Sequence, residues 1–240
     1  MEDPVRFAIF LFVPAYSCVL HECAHVWVAL KLGDPTGKSM GRLTLNPLPH
    51  IDLFWTILLP AMTWFFNGGV IGGPKPAPVN PLNFKNPRSG QMWTALAGPA
   101  MNLLLALAGI VLLRILFSVN ESLAGEKSPG AVTGLPVWDL TYYSLFLSHV
   151  MFTNVILAAF NLLPVPPLDG SRFLRFILGR SGEDKLDAIE RLGILPLLLA
   201  SYFLAPYIIA PIAMLLVTVL AHLFPPEYAR ALVRAYFFSR

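Results

Sequence analysis

In this chain of 240 residues, 56% are hydrophobic and 13% charged, about half the ~25% charge of an ordinary soluble domain. Mean hydropathy is +0.64, and apolar runs at 7–32, 53–66, 92–117, 140–163 and 192–224 include several longer than the roughly 20 residues a helix needs to cross a bilayer. These figures exclude a soluble domain, and a net charge of only +3 argues against a nucleic-acid partner. With no internal repeat or long linker, residues 1–240 read as a single membrane-embedded domain. Its core would span about 8–178, followed by a helical segment at 190–224 and a tail at 225–240.

The first run is expected to stay in the membrane as a span, because MEDPVR has no basic n-region and no A-x-A-like cleavage site follows. Its second half, SCVLHECAHVWVAL, places His21, Glu22 and His25 among apolar residues. His21 and His25 lie four residues apart, about 40° round a helix, so both imidazoles share a face with Glu22 beside it. This is H-E-x-x-H, in which two histidines grip zinc and the glutamate acts as general base on its water. The plain alternative is a set of buried polar groups paired between helices. It is weakened because each charged group at membrane depth costs roughly 2.5–3.5 kcal/mol, which a doubly charged ion offsets. Cys18 shares the histidine face but reads as a small apolar filler, as does Cys23.

Further along, 53–66 is followed by NGGVIGGPKPAPVNP, too rich in glycine and proline for regular helix and tolerable at membrane depth only under a cover of protein or water. Gly72–Pro78 would form either a cavity wall or a plain loop. Residues 92–117 make one crossing, in which Gly98, Ala100 and Ala106 offer small surfaces for close packing. After the run at 140–163, NLLPVPPLDG forbids helix through Pro164, Pro166 and Pro167. Asp169 then reads equally as a helix N-cap or as a metal ligand. A catalytic zinc needs three protein ligands and an open position, and the first span supplies two, so the ligand reading leads. His149, His50 and His222 have ordinary interhelical or span-end explanations. The run at 192–224 contains Pro196, Pro206 and Pro211 and is expected to form two short segments, with 225–240 as a basic interfacial helix.

Histidines late in one span and an aspartate just past another meet only if the two helices run the same way, with an odd number of crossings between them. The 53–66 region should therefore enter and return on one side. Loop charges agree. Lys31, Lys38, Arg42, Lys75, Lys85, Arg88, Arg172, Arg175, Arg180, Lys185 and Arg191 fall on one side, against Lys127, Glu121 and Glu126 on the other, which makes the site's side cytoplasmic.

HECAH, GRLTLNPLPHID, PKPAPVNP, AGPAMN and NLLPVPPLDG, in that order, resemble the site-2 protease family of intramembrane zinc metalloproteases, over about residues 8–178. The resemblance implies an all-α polytopic protein of about five to six transmembrane or re-entrant segments, with a small membrane-associated β-hairpin at 41–51. It implies a compact form without PDZ or CBS domains, so room is left for a regulatory membrane partner. One zinc per chain would be bound by His21, His25 and Asp169, Glu22 would be catalytic, and Asn161 would lie near bound substrate. The implied partners are transmembrane-helix proteins and the lipid bilayer, in a plasma membrane.

Such an enzyme must bring water to a buried bond and unwind its substrate. Asn161 or Asn102 could hold substrate backbone or a developing oxyanion, with interhelical bonding the simpler role for Asn102. Arg42, Leu43, Thr44 and Leu45 alternate like a strand whose edge could pair with an unwound peptide, unless they form a mere turn ended by Pro47. A helix-binding protein without activity would have no reason to keep Glu22. A metal transporter would spread its ligands over several depths.

Overall fold

A computed structural model of the chain describes residues 3–58, 62, 72–124, 137–193 and 195–224. Helix α1, Pro4–Lys31, opens where the Asp3 carboxylate accepts from the backbone N–H groups of Val5 and Arg6, with Pro4 in the first turn, where a missing N–H costs nothing. It closes at Leu32, and Gly33 takes the positive φ of 109° that turns the chain away. A short helix α2, Thr36–Ser39, 3-10 turns at Leu48–His50 and Pro81–Asn83, and a π-helical stretch Leu53–Leu58 lead to α3, Pro87–Ala124. Then come α4, Val137–Asn161; α5, Asp169–Leu178; α6, Arg180–Glu190; and α7, Leu195–Leu223.

Among the described residues, Pro4–Lys31, Pro87–Ser118 and Tyr142–Asn161 are long and apolar enough to cross a membrane. Their outward faces expose large apolar side chains such as Phe10, Leu104 and Ile115, as lipid contact requires. Hydrogen bonds fix the directions. Tyr142 donates to Asp3 Oδ2 at 2.8 Å near the start of α4 and α1, and Asn154 donates to Ser17 Oγ at 2.9 Å further along both, so these helices are parallel. Moving back along α1 from His25 to His21 moves forward along α3 from Thr94 to Asn102, so α3 is antiparallel to them. The expected parity holds.

The core lies between α3, α4 and α7, where Leu113, Met151, Phe152 and Phe224 are buried together. At the other end, Leu197 of α7 packs on Leu163 and Leu168. Helix α7 is therefore one continuous helix returning along α4, and the expected pair of short segments at 192–224 is corrected. Twenty-nine residues at ~1.5 Å each exceed the ~30 Å hydrocarbon layer, so length alone removes the need for a break. The 225–240 tail lies outside the described residues.

Half of the 53–66 run, 59–61 and 63–66, also falls outside them, but its flanks are fixed. Thr56 Oγ1 donates to Gly73 O at 2.9 Å, and Lys75 N–H to His50 O at 2.7 Å. Whatever lies between Thr56 and Gly73 begins and ends at one place.

The expected hairpin at 41–51 is corrected too, because the described residues contain no β-strand and this segment is built from turns. Pro47 and Pro49 remove ladder donors. Thr44 Oγ1 and Asn46 Oδ1 accept from the N–H groups two residues on, bending the chain locally.

Asp34, 1% exposed, anchors this connection to α1. Its Oδ1 accepts from Thr36 N and Oγ1 at 3.1 and 2.5 Å and from Asn83 Nδ2 at 2.7 Å, and its Oδ2 from Asn80 N at 2.7 Å. Burial pushes its pKa up, but these hydrogen bonds prevail and hold it below the usual carboxylate value. The stabilisation is thus present above the unfolded value of ~3.9 and is lost as pH falls through the lower folded value. Asp34→Ala should cost about 1–3 kcal/mol at neutral pH. Melting of Asp34→Asn and wild type should differ at pH 7 and converge below about pH 4; equal melting at pH 7 would refute the role.

Candidate active site

The second half of α1 faces α3, and that contact organises both histidines. His25 Nδ1–H donates to the Thr94 carbonyl at 2.7 Å, and His21 Nδ1–H to Asn102 Oδ1 at 2.9 Å. A proton on each Nδ1 leaves a bare lone pair on each Nε2, and these two atoms point at one another 3.0 Å apart. Asp169 Oδ2 lies 3.2 Å from both. Three acceptors this close repel unless a cation sits between them. Their 3.0–3.2 Å separations approach the ~3.3 Å edge of a tetrahedron with ~2 Å arms, the size zinc adopts with nitrogen and oxygen ligands. Glu22 joins them, its carboxylate oxygen within 4.8 Å of the imidazole nitrogens and its buried Oε2 without a hydrogen-bond partner.

Asp169 reaches this point because the chain turns sharply after α4. Phe160, Leu163 and Val165 carbonyls accept from Leu163, Val165 and Leu168 N–H groups, and Leu168 caps α5. Asp169 is therefore the first residue of α5 and not its cap, with its carboxylate turned to the histidines. Gly170 must be glycine, since a Cβ there would sit 2.2 Å from the Leu162 carbonyl oxygen. Across the site, Gly98 of α3 is equally constrained. A Cβ there would stand 2.4 Å from His25 Nε2 and 2.5 Å from His21 Nε2, in the space the donors enclose.

A cavity of about 180 Å³ opens from the donors and is lined by Cys18, Glu22, Asn102, Asn161, Arg172 and Leu197. One wall is Gly72, Gly73, Pro74, Pro76 and Ala77, which selects the cavity-wall reading of that segment. Asn161 donates to its own helix at Leu157 O, 2.9 Å away. Arg42, Leu43, Thr44 and Leu45 do not line the cavity. The Thr44 carbonyl, which an added strand would need, already accepts from Cys23 Sγ and His50 Nε2, both at 3.0 Å, while Leu45 is 59% exposed on the outside. Arg42 is buried behind the wall and donates to the Lys75 carbonyl. His149 donates to Leu145 O of its own helix, and His222 to Thr218 O.

Thr94 acts here without having been singled out, while His50 and Cys23, read from the sequence as ordinary packing residues, hold the Thr44 carbonyl. Thr94 contributes only a backbone carbonyl, which carries no residue-type signal. Asn102, 0% exposed, orients His21. Asn102→Ala should weaken zinc binding about 10–100-fold while the fold persists. Competition with a zinc chelator measures this, and unchanged affinity would remove the orienting role.

Residues 7–203 match the family model for peptidase family M50. The chain belongs to peptidase family M50, the site-2 proteases. A Bacillus subtilis protein named as a zinc metalloprotease, YwhC, is 35% identical over 196 residues, covering 79% of this chain and 81% of its own length. Rip2 of Mycolicibacterium smegmatis, also so named, is 31% identical over 157 residues, 64% of this chain and 51% of itself. The zinc metalloprotease MJ0392 of Methanocaldococcus jannaschii is 28% identical over 182 residues, which cover 75% of this chain and 37% of that protein. No solved structure matches. This M50 chain is thus a zinc metalloprotease of the membrane, and its donor set has the chemistry that zinc requires.

Proposed function

We propose that this M50 protein hydrolyses peptide bonds within or beside the transmembrane helices of other membrane proteins, with His21, His25 and Asp169 holding zinc and Glu22 moving the proton. The observation that carries this reading is a trio of lone-pair donors 3.0–3.2 Å apart, with a carboxylate beside them, inside a bundle of apolar helices. Zinc, when bound, supplies Lewis acidity that lowers the pKa of a water towards ~7 and polarises a carbonyl. Glu22 accepts the proton of the attacking water at its unpartnered Oε2 and returns it to the leaving amide nitrogen. Asn161, at the cavity end of α4, presents its amide to substrate backbone.

The wall at 72–77 replaces 42–45 as the surface along which an unwound substrate would lie. Lys75 turns its N–H to His50 and its carbonyl to Arg42, away from the cavity. Pro74 and Pro76, which have carbonyls but no N–H, face inward. Across 74–76 this edge therefore offers carbonyls, and no N–H, to the N–H groups of a substrate. Basic residues after α1, before α3 and along α5 and α6 share the site's end of the bundle, a charge asymmetry that supports a site opening towards the cytoplasmic side of a plasma membrane.

The test compares membrane proteins from cells carrying wild type or Glu22→Gln. Uncleaved membrane-bound fragments should accumulate only in the variant, and their identity names the substrates. Matching profiles from a zinc-loaded wild type would refute proteolysis.

A further inference from the structure

We propose that Arg172 binds a substrate carboxylate where the cavity borders two neighbouring clefts, an inference that rests on the protease reading of that cavity. Arg172 follows Asp169 by three residues on α5, about 60° round the helix, so the two flank one side. It is half-buried and borders the zinc cavity together with two clefts that open next to it. Glu183, Asp187 and Glu190 line those clefts, and each is already held by another arginine. Arg88 pairs with Glu183 at 2.9 Å, and Arg175 with both Asp187 and Glu190. Among the described residues Arg172 has no hydrogen-bond or ion-pair partner.

A guanidinium partly withdrawn from water without a partner loses hydration for no return, and its planar fork matches a carboxylate. Charge balance points the same way. Glu22 and Asp169 together cancel a doubly charged ion, so Arg172 leaves the loaded cavity with one positive charge in excess. A peptide segment leaving the cavity for the clefts passes this charge.

The carboxylate has two chemical sources. Hydrolysis breaks the C–N bond, adds the water oxygen to the carbonyl carbon and leaves the proton on the amine, so the cavity itself generates a C-terminal carboxylate. An aspartate or glutamate flanking the cleaved bond would present the same group before reaction. The first source makes Arg172 a product-holding residue, and the second makes it a specificity residue.

Zinc-loaded full-length chain in phosphatidylcholine nanodiscs separates them by direct calorimetric binding, without turnover. One peptide pair is acetyl-Leu-Leu-Ala with a free carboxylate and as its amide. The other is acetyl-Leu-Ala-Leu-Glu amide and its Gln counterpart. Wild type should prefer the acid of at least one pair by about tenfold. Arg172→Gln should bring that preference near unity, Arg172→Lys should retain part of it, and zinc content should not change. Preference within the first pair alone identifies the product carboxylate, and within the second alone the acidic side chain. No preference in wild type, or an undiminished one in Arg172→Gln, overturns the proposal, and so does zinc loss in that variant. Because binding is read without cleavage, unaltered membrane profiles in Glu22→Gln cells would sink the protease reading while leaving this result to stand or fall alone.

Discussion

Gly98→Ala is expected to fold, to keep its helices together, and to hold almost no zinc. Alanine is the better helix former by ~1 kcal/mol, so α3 loses nothing from the change itself. The added methyl would stand 2.4–2.5 Å from both Nε2 atoms, well inside van der Waals contact, where the three donors converge. Relief requires α1 and α3 to separate, but Thr94 and Asn102 hold the two rings from α3 on either side of Gly98. The methyl and the ion compete for one volume. Zinc per chain, measured on purified protein, should drop from stoichiometric to near zero while helical circular dichroism is preserved. Full zinc occupancy in a folded variant would show that the ion sits elsewhere.

Glu22→Gln should do the reverse, keeping the metal and losing the chemistry. Glutamine preserves the side chain's shape, and His21, His25 and Asp169 keep their mutual distances because none depends on the Glu22 carboxylate. What disappears is a proton acceptor, and removing a positioned general base costs about 10²–10⁴ in rate. Single-turnover cleavage of a substrate found by fragment accumulation gives the number. A variant within about threefold of wild type would assign the base to another group, because general-base loss never costs so little in a site that relies on it.

The site was legible in the chain to the extent that it is made of side-chain chemistry. Two histidines one turn apart in an apolar span have few physical excuses, and three prolines before Asp169 mark a segment that leaves the helix in a fixed way. The parity of crossings followed from asking those groups to meet, and the hydrogen bonds from α4 to Asp3 and Ser17 bear it out. Features made by backbone were invisible. Thr94 acts through its carbonyl, and Gly98 reads as a generic small residue until the rings opposite it are placed. Asp34 looks like any acidic residue after a helix, and only the fold brings Asn80 and Asn83 to it. Alternation across Arg42–Leu45 suggested a strand because a pattern of four residues cannot show that Cys23 and His50 have claimed the Thr44 carbonyl.

The parallel course of α1 and α4 sets a rule for how such a protein can be lengthened. An insertion between His25 and Asp169 that crosses the bilayer must do so an even number of times, or the aspartate is stranded in the opposite leaflet. A segment added before α1 or after α5 meets no such rule. Chains that keep this arrangement can therefore acquire anchors or sensors freely at either end, and between the two helices only by hairpins. The same restriction gives a practical guide for attaching reporters: a lone membrane anchor spliced between α1 and α4 should abolish zinc binding, while the same anchor beyond α7 should not.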